Sequence, residues 1–308
     1  MSTKETRGGV WAEQTRPRIN FSKSTALEVE KVLAGYFQKG YPVILSSGRG
    51  AISATVKSYW VKNEITVFPY ASQCVVNALL SAGISVSTRL DFTSEIIIHQ
   101  WGILDTGLKS KPFIEDACDT LLSPSGTILN SGGEFEIWSL PKIIGSRFGA
   151  VLWCRREEVA NSIRSERDKQ AKSQVYVKKI LRILRGLNDR FYREWEKYEF
   201  KVLGLTPYEY ESTKHLLIDW ENHFYKQRKK YVSYLGTLNS ATFKSVNLPS
   251  GGTLDFNRVP AAVFSVKRLD LSTKFDKTSP TILNRVQFGV KPYPVYVYRY
   301  LQENSHDD

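Results

Sequence analysis

The chain has 308 residues and a formal net charge of +12, and 42% of its residues are hydrophobic. A chain of this length and composition can bury a sizeable core, so we expect a globular protein with two unequal domains rather than a disordered or fibrous one. No apolar run approaches the ~20 residues that cross a bilayer, and the polar first residues lack the apolar stretch of a secretory signal. A cytoplasmic protein without membrane contact is therefore predicted.

The positive charge raises the question of nucleic-acid binding, because Lys and Arg neutralise phosphates. Much of the excess lies between Arg155 and Lys230, where basic residues alternate with Glu and Asp on helical-looking stretches. Mixed charges of this kind favour solvated helix faces. A nucleic-acid partner is not expected, and steeply salt-dependent binding would be the evidence for this alternative.

Three cysteines, Cys74, Cys118 and Cys154, lie far apart in the sequence. They show no metal-ligand spacing, and three thiols cannot all pair with one another. We expect reduced, buried thiols and no metal site.

The first two-thirds of the chain alternate between strand-like and helix-like patterns. Residues 1–30 are expected to form an arm that leads into a first helix. Strands are predicted at 42–45, 65–69, 84–86, 95–99, 111–115 and 148–154, and helices at 26–36, 52–60 and 75–80. This alternation indicates an α/β fold with a mostly parallel sheet covered by helices on both faces.

The predicted secondary structure changes after residue 154. Long helices are predicted as far as residue 235, followed by short β-like segments at 261–266 and 294–298. We therefore expect three parts: an arm at 1–30, a large domain at 31–235 and a small C-terminal α+β domain at 236–308.

A glycine-rich turn follows the first predicted strand, with Gly48, Arg49 and Gly50 leading into a helix. A helix N-terminus reached by such a turn presents backbone N–H groups and a favourable dipole to a phosphate. The pattern is neither a full dinucleotide-binding fingerprint nor a Walker loop, and a tight connection is the alternative interpretation.

Two charged residues stand in apolar surroundings. Asp116 comes shortly after the apolar pair Phe113-Ile114, where an unpaired carboxylate would be costly. A protonated pyridine nitrogen would be a suitable partner for it. The alternative is that Asp116 is the N-cap of a following helix. Lys142 follows Trp138 and Pro141. Partial burial there would free its amine for covalent chemistry with an aldehyde, and a solvated lysine is the alternative.

Taken together, these segments resemble the DegT/DnrJ/StrS sugar aminotransferases, a family of fold-type I pyridoxal phosphate (PLP) enzymes. Residues 114–117, Ile-Glu-Asp-Ala, are the most specific match, and residues 139–142 resemble a Ser-Leu-Arg-Lys variant of the family's lysine motif. Residues 99–102 resemble its His-x-x-Gly, and residues 46–51 its phosphate-side turn. The resemblance extends to about residue 235.

The resemblance implies a role for individual residues. Asp116 would pair with the pyridine nitrogen, Lys142 would carry the cofactor and act as the catalytic acid and base, and Tyr70 would stack on the ring. The phosphate would be bound by Gly48, Arg49, Gly50 and Ser139. Asp119 stands where the family usually has Gln or His beside the cofactor's phenolic oxygen, and Pro141 replaces the usual Arg.

By the same resemblance, the protein would move an amino group from an amino acid, glutamate by analogy, to a keto sugar. That sugar is expected to be nucleotide-linked, as in surface polysaccharide or secondary-metabolite synthesis, and the enzyme is expected to be a homodimer. Candidates for contacts with a diphosphate-bearing substrate and the phosphorylated cofactor are Arg49, Arg147, Arg182, Arg185 and Arg190. There are two alternatives. The protein could be a regulatory family member without catalytic activity, or it could be a PLP-dependent dehydratase or lyase.

Overall fold

The computed structural model describes residues 22–225, except 38, 68–70, 72, 89–93, 101–102, 105–109, 123–125 and 223, and the backbone of short strands between 244 and 298. Its helices are α1 (Ala26–Tyr36), α2 (Gly48–Tyr59), α3 (Gln73–Ser81), α4 (Leu140–Ile143), α5 (Glu157–Lys169), α6 (Lys172–Leu184), α7 (Asp189–Glu199) and α8 (Pro207–Ile218).

The strands of the first two-thirds of the chain are β1 (Tyr41–Leu45), β2 (Glu64–Val67), β3 (Ser85–Thr88), β4 (Ile96–Gln100), β5 (Ile103–Leu104), β6 (Ile114–Asp119), β7 (Leu121–Leu122), β8 (Phe135–Ser139) and β9 (Ala150–Cys154). Those that follow are β10 (Lys244–Ser245), β11 (Thr253–Leu254), β12 (Arg258–Val259), β13 (Ala262–Ser265), β14 (Thr281–Leu283) and β15 (Val295–Tyr298).

Seven strands form the path of the central sheet, in the order β1-β9-β8-β6-β4-β2-β3. The five strands β8, β6, β4, β2 and β3 each run parallel to the next one in the sheet. Strand β9 is antiparallel to both of its neighbours, β1 and β8. Strand order and direction confirm the predicted α/β fold with a mostly parallel, mixed sheet.

Both faces of this sheet are covered, as the alternation of β1 shows. Ile44 belongs to one apolar cluster, which contains residues of α1 and α8, while Val43 and Leu45 belong to a second one with residues of α2, α3 and α5. Successive side chains of a strand point to opposite faces. The two clusters are therefore the cores above and below the sheet.

Local signals fix the ends of several helices. The hydroxyl of Thr25 and the carboxylate of Glu28 form a capping box at the start of α1. The hydroxyl of Ser47 accepts from the Gly50 amide at 3.1 Å, so α2 begins at Gly48 and not at the predicted residue 52. The cap brings the whole glycine turn into the helix.

Strand β6 is longer than the sequence pattern predicts. It runs through Asp119, so Asp116 lies inside the strand and no helix begins there. The N-cap alternative for Asp116 is therefore wrong. The expectation failed because the strand continues past Glu115, where it was predicted to end, and the Asp116 carboxylate has a hydrogen-bond partner within the strand itself.

The C-terminal strands form a four-stranded sheet in the order β10-β13-β15-β14, with antiparallel pairing throughout. The segments predicted at 261–266 and 294–298 correspond to β13 and β15. Strand β11 pairs with β5 and so adds to the central sheet. The domain boundaries at 30 and 235 stay predictions.

No helix within the described ranges is long and apolar enough to cross a membrane. Those same ranges contain no group of three or more His, Cys, Asp or Glu side chains arranged to hold a metal ion. The expectation of buried thiols is correct for Cys154 only, because Cys118 is half-buried and Cys74 is exposed.

Candidate functional site

A cavity of about 300 Å³ lies beside the central sheet. Its floor is made by Ile98 in β4, Asp116 in β6 and Ser139 at the end of β8. These three strands are parallel neighbours, and Ser139 is the last residue of its strand. Ligands of open α/β sheets bind at this edge.

Asp116 is the acidic group of the cavity floor. It is 6% exposed, and its carboxylate accepts a hydrogen bond from the Cys118 amide at 3.0 Å. A buried carboxylate is stable only with partners. Among the described residues the partner of this carboxylate is the Cys118 amide, so the side of the carboxylate that faces the cavity is available to a cationic ligand.

The neighbouring Glu115 points to the opposite face of β6 and is wholly buried. Its carboxylate lies 2.7 Å from Nε2 of His99 and accepts from the amides of Ser131 and Gly133. Burial raises the pKa of Glu115, but these hydrogen bonds outweigh burial and lower the pKa. His99, the first residue of the predicted His-x-x-Gly motif, thus pairs with Glu115 on the face of β6 that points away from the cavity.

Lys142 reaches the cavity from α4, the single turn that follows β8. Pro141 occupies the first turn of this helix, a position where its missing N–H is not needed. Ser139 precedes the helix, and its side chain makes no capping bond there and lines the cavity. Lys142 is half-buried, so a fully solvated lysine is excluded.

The N-terminus of α2 forms another wall, with Gly48 and Arg49 lining the cavity. Gly50 is not among the described lining residues, and its amide donates to the hydroxyl of Ser47, which does line the cavity. The guanidinium of Arg49 lies 3.1 Å from the carboxylate of Glu199 and over the ring of Trp195. Arg49 therefore ties the turn to α7.

Two residues of the predicted site are only partly accounted for. Tyr70 lies outside the described residues. Asp119 ends β6 opposite Gln100 of β4, and the description there is limited to the backbone. Their predicted contacts with the ring and its phenolic oxygen stay predictions.

The wall opposite the sheet is basic and comes from helix α6. Lys178 is 7% exposed, and its ammonium lies 2.8 Å from the Ser46 hydroxyl and 2.9 Å from the Glu199 carboxylate. Burial lowers the pKa of Lys178, Glu199 opposes that change, and Arg49 and Arg182 add to it. Sequence reasoning did not find this lysine.

Three arginines also line this part of the cavity: Arg147, Arg182 and Arg185. The Arg182 guanidinium lies 4.2 Å from the centre of the Phe148 ring, and that of Arg185 lies 4.2 Å from the centre of the Trp195 ring. Burial and the nearby Arg185 lower the pKa of Arg182. Arg190, by contrast, is exposed on α7.

The expectation that the basic helices present solvated faces is therefore wrong for one face of α6. Lys178, Arg182 and Arg185 recur at helical spacing and all line the cavity. The hydropathy pattern marked this face as polar, but polar residues that line a cavity and polar residues that face water give the same pattern. Only the packing of α6 distinguishes them.

Comparison with known families assigns the chain. A family described as "Putative PLP-dependent aminotransferase" matches residues 29–279. The match spans most of the chain, so this protein belongs to that family, and its cofactor is pyridoxal 5′-phosphate. No curated protein sequence matches the chain.

Solved structures with the same fold include several PLP enzymes. An Escherichia coli GDP-4-keto-6-deoxy-D-mannose-3-dehydratase with bound hydrated PLP has a TM-score of 0.59 and 14% identity, covering 90% of this chain and 88% of that chain. Helicobacter pylori PseC, an aminotransferase involved in the biosynthesis of pseudoaminic acid, has a TM-score of 0.56 and 11% identity, covering 94% and 90%.

A DegT/DnrJ/EryC1/StrS aminotransferase from Brucella abortus has a TM-score of 0.55 and 13% identity, covering 90% of this chain and 86% of that chain. At these identities the likeness shows the fold alone. It confirms the predicted fold-type I architecture of PLP enzymes.

Proposed function

We propose that this protein is an aminotransferase that moves an amino group from an amino acid, with glutamate as the expected donor, to a keto sugar. The observation that carries the proposal is that Asp116 and Lys142 line one cavity together with the N-terminus of α2. These are a buried acid, an amine and an anion-binding helix end. The family assignment supports the cofactor that needs all three.

The described residues fit this cofactor. Asp116 is buried at the floor, and its partner among the described residues is the Cys118 amide of its own strand, as expected of a carboxylate that receives a pyridinium. Ser139 offers a hydroxyl that the α4 backbone does not use, beside the amides of Gly48 and Arg49, and so suits a phosphate. PLP supplies an electron sink for the carbon that loses a proton.

In this proposal each side chain has one task. Asp116 keeps the ring nitrogen protonated by offering it a negative charge in a site with little water. Lys142 would hold the cofactor, and its amine would act as the base that takes the proton from the α-carbon of the donor and as the acid that gives the proton back. Ser139 and the turn at Gly48 fix the distance between this amine and the reacting carbon.

The basic wall suggests what the substrates carry. Arg147 and Arg182 line the cavity, and neither has an ion pair with a carboxylate among the described residues. Guanidinium groups bind carboxylates and phosphates through paired hydrogen bonds. These residues suit a dicarboxylate donor and a nucleotide-linked sugar. Such substrates agree with membership of the DegT/DnrJ/StrS family, which we propose for this protein. We also propose that the active form is a homodimer.

Borohydride trapping tests this function. The protein is incubated with PLP, reduced, digested and analysed by mass spectrometry; the cofactor mass is expected on the peptide that contains Lys142. K142A should lose both this label and the visible absorbance of the bound cofactor. K197A, which removes an exposed lysine of α7, is the control. Trapping on another lysine, or no cofactor band at all, would contradict the proposal.

Turnover separates aminotransfer from elimination. Addition of glutamate to the loaded protein should release 2-oxoglutarate and convert the cofactor to its amine form, which a keto sugar then restores. A dehydratase is the second candidate, because the fold is shared with an enzyme of that name. Release of ammonia without an aminated sugar would favour it, and cofactor binding without any exchange would favour a regulatory role.

A further inference from the structure

Lys178 occupies an unusual place for a lysine. Helix α6 is mostly exposed, with Ile180 56% and Ile183 74% exposed to solvent, yet Lys178 is 7% exposed. Its ammonium extends to the turn that precedes α2, where it meets the Ser46 hydroxyl at 2.8 Å. A buried ammonium loses hydration that only close partners can replace.

The partner of this ammonium is shared. The Glu199 carboxylate lies 2.9 Å from Lys178 and 3.1 Å from Arg49. One carboxylate thus faces two cations, and Arg182 adds a third positive charge that acts on Lys178. Glu196 lies 3.8 Å from Arg49, and Glu209 acts on Arg182. Arg147 and Arg185 act on Arg182 as well, so the cations of this group outnumber its carboxylates and a further negative charge would be favourable.

The position of the cluster indicates which negative charge that is. Ser46 is followed directly by Ser47, the N-cap of α2, and the amides of the first turn of a helix have no partner within the helix. Ser46, Gly48 and Lys178 line the same cavity as Ser139. An ammonium, a hydroxyl and the amides of a helix N-terminus that line one cavity are the kinds of donor that bind a phosphate.

We propose that Lys178 is a cofactor-binding residue that donates a hydrogen bond to the phosphate of PLP, opposite the N-terminus of α2. This inference rests on the proposed function. Glu199 then remains the partner of Arg49, while the Ser47 hydroxyl, 2.6 Å from the Glu199 carbonyl, keeps α7 against the turn. Helix α6 thereby supplies one side of the phosphate site, and the glycine turn supplies the other.

A comparison of PLP with pyridoxal, which lacks the phosphate, tests this assignment. Dissociation constants of both compounds are measured by fluorescence titration for the wild type, K178M, K178R and K197M. K178M should weaken PLP binding at least about tenfold and leave pyridoxal binding unchanged, and K178R should retain most of the preference for PLP. K197M removes an exposed lysine of α7 that pairs with Glu194 at 2.7 Å, and it should behave as the wild type.

The E199Q variant provides an independent measurement if K178M does not fold. Removal of the competing carboxylate should keep or increase the preference for PLP over pyridoxal, whereas a purely structural Lys178–Glu199 pair predicts equal loss of both ligands. Equal weakening of both ligands in K178M, or no weakening of PLP, would overturn the role of Lys178 while the proposed function stands. Failure of the wild type to bind either ligand would overturn both.

Discussion

The carbonyl oxygen of Lys201 lies 2.5 Å from the position that a Cβ atom on Gly50 would occupy. Real side chains do not approach backbone so closely, so the turn after α7 can pass over the start of α2 only because residue 50 is glycine. The contact connects α7, which carries Glu199, to the wall of the cavity.

Substitution of Gly50 by alanine should therefore force the 199–201 turn away from α2. We expect G50A to lower the free energy of unfolding by about 1–3 kcal/mol, as overpacking does, and to weaken PLP binding. Urea unfolding and a cofactor titration measure the two effects. G48A is the matched control for the unfolding measurement, since its added Cβ would meet its nearest neighbours at 3.5 and 3.6 Å. Equal losses of unfolding free energy in both variants would contradict the steric argument.

Asp116 should control the chemistry rather than the occupancy of the site. In D116N the ring nitrogen loses its anionic partner, so amino transfer should fall by about a hundredfold or more, the scale of lost preorganised electrostatics. Visible absorbance should still show bound cofactor. D189N, on the exposed start of α7, is the control, and full activity of D116N would contradict the assignment.

Glu30 connects three elements in the core. It is 2% exposed, accepts from the Ile44 amide at 2.9 Å and pairs with Arg164 at 2.9 Å and Arg167 at 2.5 Å. E30A leaves two arginines facing an empty site, so it should cost about 3–5 kcal/mol of unfolding free energy. E158A, which breaks an exposed pair with Arg156, should cost about 0–1 kcal/mol. A small effect of E30A in thermal denaturation would contradict this role.

Acid should weaken the fold partly through Glu115. Its pKa is lowered in the folded protein from the ordinary 4.5, so its contribution to stability is present above pH 4.5 and is lost as the pH falls through the folded value. E115Q should be less stable at neutral pH and less sensitive to acid below pH 4.5. The exposed Glu134 provides the control E134Q; an unchanged acid dependence of unfolding in E115Q would contradict the prediction.

The cysteines should differ in reactivity. Burial raises the pKa of the Cys154 thiol to about 12, so little thiolate exists at pH 8. Iodoacetamide should alkylate the exposed Cys74 first and leave Cys154 unmodified in the native protein. Peptide mass mapping measures this order, with urea-unfolded protein as the control. Rapid native labelling of Cys154 would show that the core opens.

Local chemistry explains what was predictable from the sequence. The start of α1 depends on Thr25 and Glu28, three residues apart, and the cavity residues Asp116 and Lys142 follow from short motifs beside strands. Neighbours along the chain supply these signals, so no knowledge of distant packing is needed.

The contributions of α6 depend on distant packing instead. Lys178 meets Ser46, which lies 132 positions earlier in the chain, and nothing near residue 178 distinguishes it from Lys179. The extension of β6 beyond Glu115, where the predicted strand ends, was missed for a similar reason, because Asp119 pairs with Gln100 of the neighbouring strand β4. Long-range partners decide both features.

Adjacent positions of β6 present two acids to opposite sides of the sheet, Glu115 toward His99 and Asp116 toward the cavity. Loss or gain of a single residue upstream in this strand would exchange them, turning the cavity acid toward the histidine and its neighbour toward the ligand. Polar contacts on both faces of the sheet thus fix the register of β6. A variant with one residue deleted from this strand that still folded would be expected to lose the ability to bind the cofactor.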